Sequence, residues 1–230
     1  MKRFWTKVDV VAQDGGWGVT LDDRPVRTPV RAMLLLPTEP LARAVAAEWS
    51  AVGETIDPRA MPLTGLANAA IDHAATGRDA FAASLAKYAE ADLVCYRAEA
   101  PRALVERQAR EWDPLLVWAR RRFDVDFVVT SGILHVAQPP ATVRRLAHAV
   151  GVLGPFQLAA LSPLVTISGS LVAALAVLER EMTVEAAWDI VSLDERWQLE
   201  QWGSDTEAET VLANRRRDLV AAARFLQLLD

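Results

Sequence analysis

Apolar and polar positions alternate in the first part of the chain and recur at helical spacing in the rest. Phe4 to Ala12 is rich in aromatic and Val residues, and Trp17, Val19 and Leu21 alternate with Gly18 and Thr20, the pattern of a half-buried strand. Asp14-Gly15-Gly16 between these runs reads as a tight turn in which a glycine takes φ > 0. Asp22-Asp23-Arg24-Pro25 is a second turn, and Val26–Thr28 and Met33–Leu36 are short strand candidates. The spacing predicts a small antiparallel meander that closes near Pro37.

From Thr38 the period lengthens. Thr38 fits an N-cap, with Pro40 in the first turn; Leu41, Val45, Glu48 and Trp49 then space helically, and Gly53 stops the run. Trp49 is expected to be structural. Leu66, Ala69, Ala70 and His73 predict a helix ending near Gly77, and Phe81, Leu85, Tyr88 and Ala89 predict another, to about Tyr96. Pro101 opens a longer helix with Leu104, Gln108, Trp112, Leu115, Leu116 and Trp118 on one face. Arg120-Arg121-Arg122 closes it, where basic residues complement the helix dipole. Phe127–Val129 and Ile133–Val136 flank Ser131-Gly132 and suggest a second hairpin, after which the pattern is helical from Pro140 to the end. The expected fold class is α+β. A small β-rich domain over 1–37 precedes a predominantly helical domain over 38–230, with a short hairpin near 127–136.

Composition sharpens this picture by exclusion. The chain has 230 residues, 52% hydrophobic and 24% charged, with a net charge of −5, which is ordinary for a folded globule. A mildly acidic balance argues against non-specific nucleic-acid binding. One cysteine, Cys95, leaves no internal disulfide and no multi-cysteine zinc site, and its apolar setting reads as a small buried hydrophobe. Ala149 to Leu178 carries no charged side chain, yet Gly151, Gly154, Pro155, Pro163 and Gly169 interrupt it. Short interrupted runs read as buried core, and no stable membrane insertion is expected.

Enzyme chemistry finds little footing. There is no Gly-Lys dipeptide for a phosphate loop, and Gly16-Trp17-Gly18 lacks the third glycine and following helix of a dinucleotide fingerprint. Ser168-Gly169-Ser170 lacks the G-x-S-x-G frame. His73, His135 and His148 are far apart in sequence. No catalytic residue, metal ligand or cofactor site is assigned.

The most unusual segment runs from Glu185 to Glu209. It holds Trp188, Trp197 and Trp202 among Asp189, Asp194, Glu195, Glu200, Asp205, Glu207 and Glu209. Trp188, Glu195 and Trp202 recur every seven residues, close to one face of a continuous helix. Arg196 precedes Glu200 by four, so a surface salt bridge is available there. Gly203 breaks the helix, and Ser204 or Asp205 can cap the next, in which Arg215-Arg216-Arg217 reads as a solvated face. Two readings of the segment stand side by side. It is a solvated acidic face over tryptophans that anchor the core, or it is a partner site with indoles as hot spots and carboxylates that orient the partner. On the second reading the binding residues are Glu195, Glu200, Trp202, Trp188, Trp197, Asp194 and Asp205. Two rivals remain: a small enzyme using Glu195 or Glu200 as a general acid in an apolar cleft, and a membrane-associated assembly factor using Ala149–Leu178.

Residues 194–208, Asp-Glu-Arg-Trp-Gln-Leu-Glu-Gln-Trp-Gly-Ser-Asp-Thr-Glu-Ala, resemble the C-terminal signature of the ATP synthase F(1)-sector assembly chaperones of the alpha-subunit-binding, "ATP-twelve" type. Arg3-Phe4-Trp5, the run from Leu21 to Pro29, Glu48-Trp49, Met61–Thr64, Leu66-Ala67-Asn68, the run from Tyr88 to Ala98, Gln108, Trp112–Leu116 and Gly169–Leu171 agree with the same family. Asp23, Ala91 and Ser168 depart from its pattern. The resemblance implies a non-enzymatic chaperone without cofactor. It would hold the free alpha subunit of the F(1) sector until the beta subunit replaces it. It also implies a bacterial, cytoplasmic protein, because no mitochondrial presequence opens the chain.

Overall fold

The computed structural model describes residues 2–132, 134–203 and 206–230. Ile133, Ser204 and Asp205 lie outside the described residues, and with them fall part of the expected hairpin, the expected cap of the last helix and one expected binding residue. In chain order the strands are β1 (Val8–Gln13), β2 (Gly16–Leu21), β3 (Arg24–Pro25), β4 (Leu35–Leu36), β5 (Tyr96–Arg97) and β6 (Thr130–Ser131). The helices are α1 (Glu39–Ala51), α2 (Pro62–Ala69), α3 (Arg78–Ala86), α4 (Arg102–Phe123), α5 (Pro140–Gly151), α6 (Pro155–Ser168), α7 (Leu171–Leu178), α8 (Val184–Val191), α9 (Leu193–Trp202) and α10 (Thr206–Gln227). Antiparallel strands followed by a mostly helical chain make the fold α+β.

The chain divides into two compact units. The first takes in Met1–Arg78, Gly154–Ala160 and Ala221–Asp230; the second takes in Asp79–Leu153 and Leu161–Val220. The boundary expected at residue 37 falls inside the first unit, because α1 shares the core of the meander.

In the first unit β1 and β2 pair antiparallel from Val8↔Leu21 to Gln13↔Gly16, leaving Asp14-Gly15 as a two-residue turn with Gly15 at φ 85°. Gly16 is required by space, since a Cβ there would collide with the Leu36 carbonyl oxygen. β2 also pairs with β3 and β4. Asp22 and Asp23 both take positive φ between β2 and β3, as a primed hairpin turn demands. The Asp22 carboxylate accepts from the backbone N–H of Thr6 and Lys7, which pulls its pKa down and ties the entry of the chain to this turn. Thr38 caps α1 by accepting from Leu41 N. Leu41 and Val45 of α1 join Trp5, Val19, Leu34, Leu36 and Phe225 in one buried cluster. Trp49 is half-buried and packs edge-on against the buried Trp5, with ring centroids 5.3 Å apart. Glu48 accepts from Leu63 N and Thr64 N and so fixes the start of α2. Beyond Ala69 the helix expected to reach Gly77 loosens into a π-helical turn over Ala70–Ala74.

In the second unit α4 buries Gln108, Trp112, Leu115, Leu116 and Ala119, and its last turn carries Arg120, Arg121 and Arg122. The uncharged stretch 149–178 forms the end of α5, α6 and α7, and Leu171 to Val177 are all buried. Among the described residues no helix is long and apolar enough to cross a membrane.

Among the described residues, the hairpin expected near 127–136 does not form. β6 pairs in parallel with β5, Tyr96↔Thr130 and Arg97↔Ser131, and Gly132 N donates to Arg97 O. The physical reason lies in Gln138, a buried side chain that closes on Val128 from both sides. Val128 N donates to Gln138 Oε1 at 3.0 Å, and Gln138 Nε2 donates to Val128 O at 2.8 Å. A side chain thus takes the backbone groups that a return strand would have used.

Candidate partner-binding site

The acidic tryptophan segment is built from two short helices, not one. Thr183 caps α8 by accepting from Ala186 N. At Ser192, φ −97° and ψ 14°, the chain leaves helical geometry, and the serine Oγ donates back to Trp188 O at 2.6 Å. α9 begins at once and ends at Gly203, whose φ of 86° a side chain would resist. This break overturns the expected stripe of Trp188, Glu195 and Trp202, since a seven-residue repeat shares a face only along an unbroken helix. Trp188 is 7% exposed and belongs to the core, whereas Trp202 is 88% exposed. Trp197 is half-buried.

Each described carboxylate of α9 has a partner from another part of the unit. Arg215 Nη1 donates to Glu195 Oε1 at 2.8 Å, Arg215 Nη2 donates to Ile167 O at 2.8 Å, and the guanidinium lies 5.9 Å from the centre of the Trp188 ring. Arg107 Nη1 straddles Glu200, 3.0 Å from Oε1 and 2.8 Å from Oε2. The Arg196–Glu200 pair that the spacing made available is replaced by this contact, and Arg196 turns to the carbonyl and carboxylate of Asp189 instead. Asp194 accepts from Gln108 Nε2 at 2.8 Å; burial, opposed by that hydrogen bond and helped by the Glu195 charge, raises its pKa.

Gln108 extends this contact inward. Its Oε1 accepts from Ala98 N, and its carbonyl accepts from Arg97, whose guanidinium also binds Asp113 and lies over Trp112. Trp112 Nε1 in turn donates to Ile190 O at 2.9 Å, at the end of α8. The α4 face therefore holds α8 and α9 through polar groups set in an apolar surface.

Sequence reasoning missed Arg107, Arg215 and the role of Gln108. Arg215 stands in an arginine triplet that reads as a solvated face, yet it is the one of the three that turns to a carboxylate of α9. A signal for Gln108 was present, a polar residue four before Trp112 on the otherwise apolar face of α4. Neither acid offered as a general acid lies in an apolar cleft: the side chains of Glu195 and Glu200 are 39% and 49% exposed, and both are ion-paired. Cys95 is buried, and burial, followed by the nearby Asp92 charge, pushes its thiol up to about 12.

The ATP12 chaperone protein family matches residues 2–120. The mitochondrial protein atp12 of Schizosaccharomyces pombe is 24% identical over 237 residues, which span 98% of this chain and 81% of that protein. The crystal structure of Atp12 from Paracoccus denitrificans is 45% identical and superposes with a TM-score of 0.94, covering all of this chain and 98% of the other. The Agrobacterium tumefaciens protein Atu1473 is 38% identical with a TM-score of 0.95, over all of this chain and 86% of that one. The acidic segment lies beyond the residues matched by the family, but within the span shared with these relatives. The chain belongs to the ATP12 family, chaperones of ATP synthase assembly.

Proposed function

We propose that this protein binds the free alpha subunit of the F(1) sector of ATP synthase and holds it until the beta subunit takes its place. It acts in a bacterial cytoplasm, without cofactor or catalysis. The observation that carries the reading is the pairing, on α9 alone, of an 88%-exposed Trp202 with carboxylates that lie at the surface of the unit. An exposed indole is the side chain most often found to dominate a protein interface, and charges around it contribute orientation and on-rate. An unassembled ring subunit exposes an apolar face that aggregates unless covered, and a chaperone must cover it without holding it permanently.

In size exclusion the protein should co-elute with purified free alpha subunit and not with the assembled F(1) sector. Equal co-elution with both, or with neither, refutes the reading. Trp202→Ala should weaken binding by about 2 kcal/mol, the scale of an interface hot spot. Its thermal melt should match that of the parent, because the indole is exposed.

A further inference from the structure

Glu195 and Glu200 meet their arginines differently. Arg107 covers both oxygens of Glu200. Arg215 takes only Oε1 of Glu195, and among the described residues Oε2 of Glu195 receives no hydrogen bond. Arg215 is itself fixed, by the Ile167 carbonyl through its second terminal nitrogen and by the Trp188 ring beneath the guanidinium. The carboxylate is therefore held by one oxygen, with its rotation restricted, while its other oxygen remains available. We propose that Arg215 is a positioning residue for partner binding: it orients Glu195 so that Oε2 meets a hydrogen-bond donor on the bound subunit, and it neutralises the carboxylate before the interface closes over it.

The second part follows from the cost of desolvation. A bare carboxylate taken out of water at an interface is strongly disfavoured, whereas one already paired and hydrogen-bonded enters with its charge balanced. A fixed pair also leaves less side-chain freedom to be lost on association than a free glutamate does. Arg215 is suited to this by its fork: one nitrogen serves the backbone at Ile167 and the other serves the acid, so pairing with Glu195 needs no further ordering of the arginine.

This inference rests on the alpha-subunit reading above, and a double-mutant cycle separates the two. Binding of purified free alpha subunit is measured by calorimetry, with thermal melts on the same samples, for the parent, Glu195→Gln, Arg215→Gln, Arg215→Lys and the Glu195→Gln/Arg215→Gln double variant. Arg215→Gln removes the charge and keeps a polar amide. Glu195→Gln and Arg215→Gln should each weaken binding about tenfold or more, the scale of a truncated interfacial charge pair. Arg215→Lys should lose less, and the double variant should bind no more weakly than Glu195→Gln alone. If the two losses multiply in the double variant, Arg215 acts independently of Glu195 and the positioning role is wrong. It is equally wrong if Arg215→Gln binds like the parent while Glu195→Gln is weakened. If Glu195→Gln itself binds like the parent, the acid is no part of the interface and both roles fall. If Arg215→Gln does not fold, Arg215→Lys alone and combined with Glu195→Gln completes the cycle by the same criterion.

Discussion

Helices α7 and α9 sit in the same unit and are held by opposite means. Seven of the eight residues of α7 are buried, Leu171 to Val177, while of the ten residues of α9 only Leu193 is. The start of α7 is closed by internal acceptors: Ser170 Oγ takes Ala173 N, and the fully buried Asp92 takes Val172 N at 2.9 Å and Val94 N at 3.2 Å. α9 is instead pinned by Arg107 and Arg215, which partly face solvent, and by the buried Gln108. Apolar burial is non-directional and roughly proportional to area, so α7 is fixed whatever its neighbours' charges. Ion pairs at a surface contribute little each and fade with salt, so α9 is placed accurately without being sealed in. An element that must meet a partner and later release it is better suited by the second arrangement.

The contrast breaks most visibly in the core. Leu175→Ala, in the middle of α7, should lower stability by about 3 kcal/mol, since the site is closed on all sides and a cavity remains. Chemical denaturation measures it; a loss below about 1 kcal/mol would place α7 in a softer environment than its burial implies.

The second effect concerns the acid that caps α7. Burial outweighs the hydrogen bonds to Asp92 and raises its carboxyl from 3.8 to about 6. The folded protein therefore holds this proton over a range in which the unfolded chain has released it. The resulting stabilisation is fully present below the unfolded value of 3.8 and is lost as pH rises through about 6. Between pH 4 and 7 the parent should lose about 2 kcal/mol more stability than Asp92→Asn, because part of the unfolded chain's titration already lies below pH 4. Parallel profiles for the two proteins would show that Asp92 titrates alike in the folded and the unfolded chain.

The smallest effect sharpens the other side of the comparison. Arg107→Ala should cost less than about 1 kcal/mol in a melt at moderate salt, because Glu200 remains solvated once its partner is gone. A loss as large as that of Leu175→Ala would mean that α9 is clamped, not placed.

Local chemistry made much of the first unit legible. The Asp14-Gly15 turn, the Asp22-Asp23 turn and the Thr38 cap each depend on residues within a few positions of one another. The same is true of the arginines that end α4. What the sequence concealed depends on contacts across long stretches of chain. Arg107 and Glu200 are 93 residues apart, and Asp92 and Val172 are 80. Charge pattern alone assigns Glu200 to the nearby Arg196, and only the packing of α4 against α9 reverses that choice. The stripe of Trp188, Glu195 and Trp202 failed for a related reason. Ser192 is an unremarkable helix residue by propensity, yet the backbone leaves helical geometry there and interrupts a repeat that otherwise reads as continuous.

Gln138 has a consequence for solubility. Val128, Val129 and Leu134 stand exposed on an extended stretch beside a sheet of only two short strands, the kind of open margin onto which a second chain adds itself. At Val128 both the N–H and the carbonyl are already engaged by a side chain from the same molecule. An incoming strand would find the N–H and carbonyl of Val128 already engaged, which removes one point of backbone pairing from this margin.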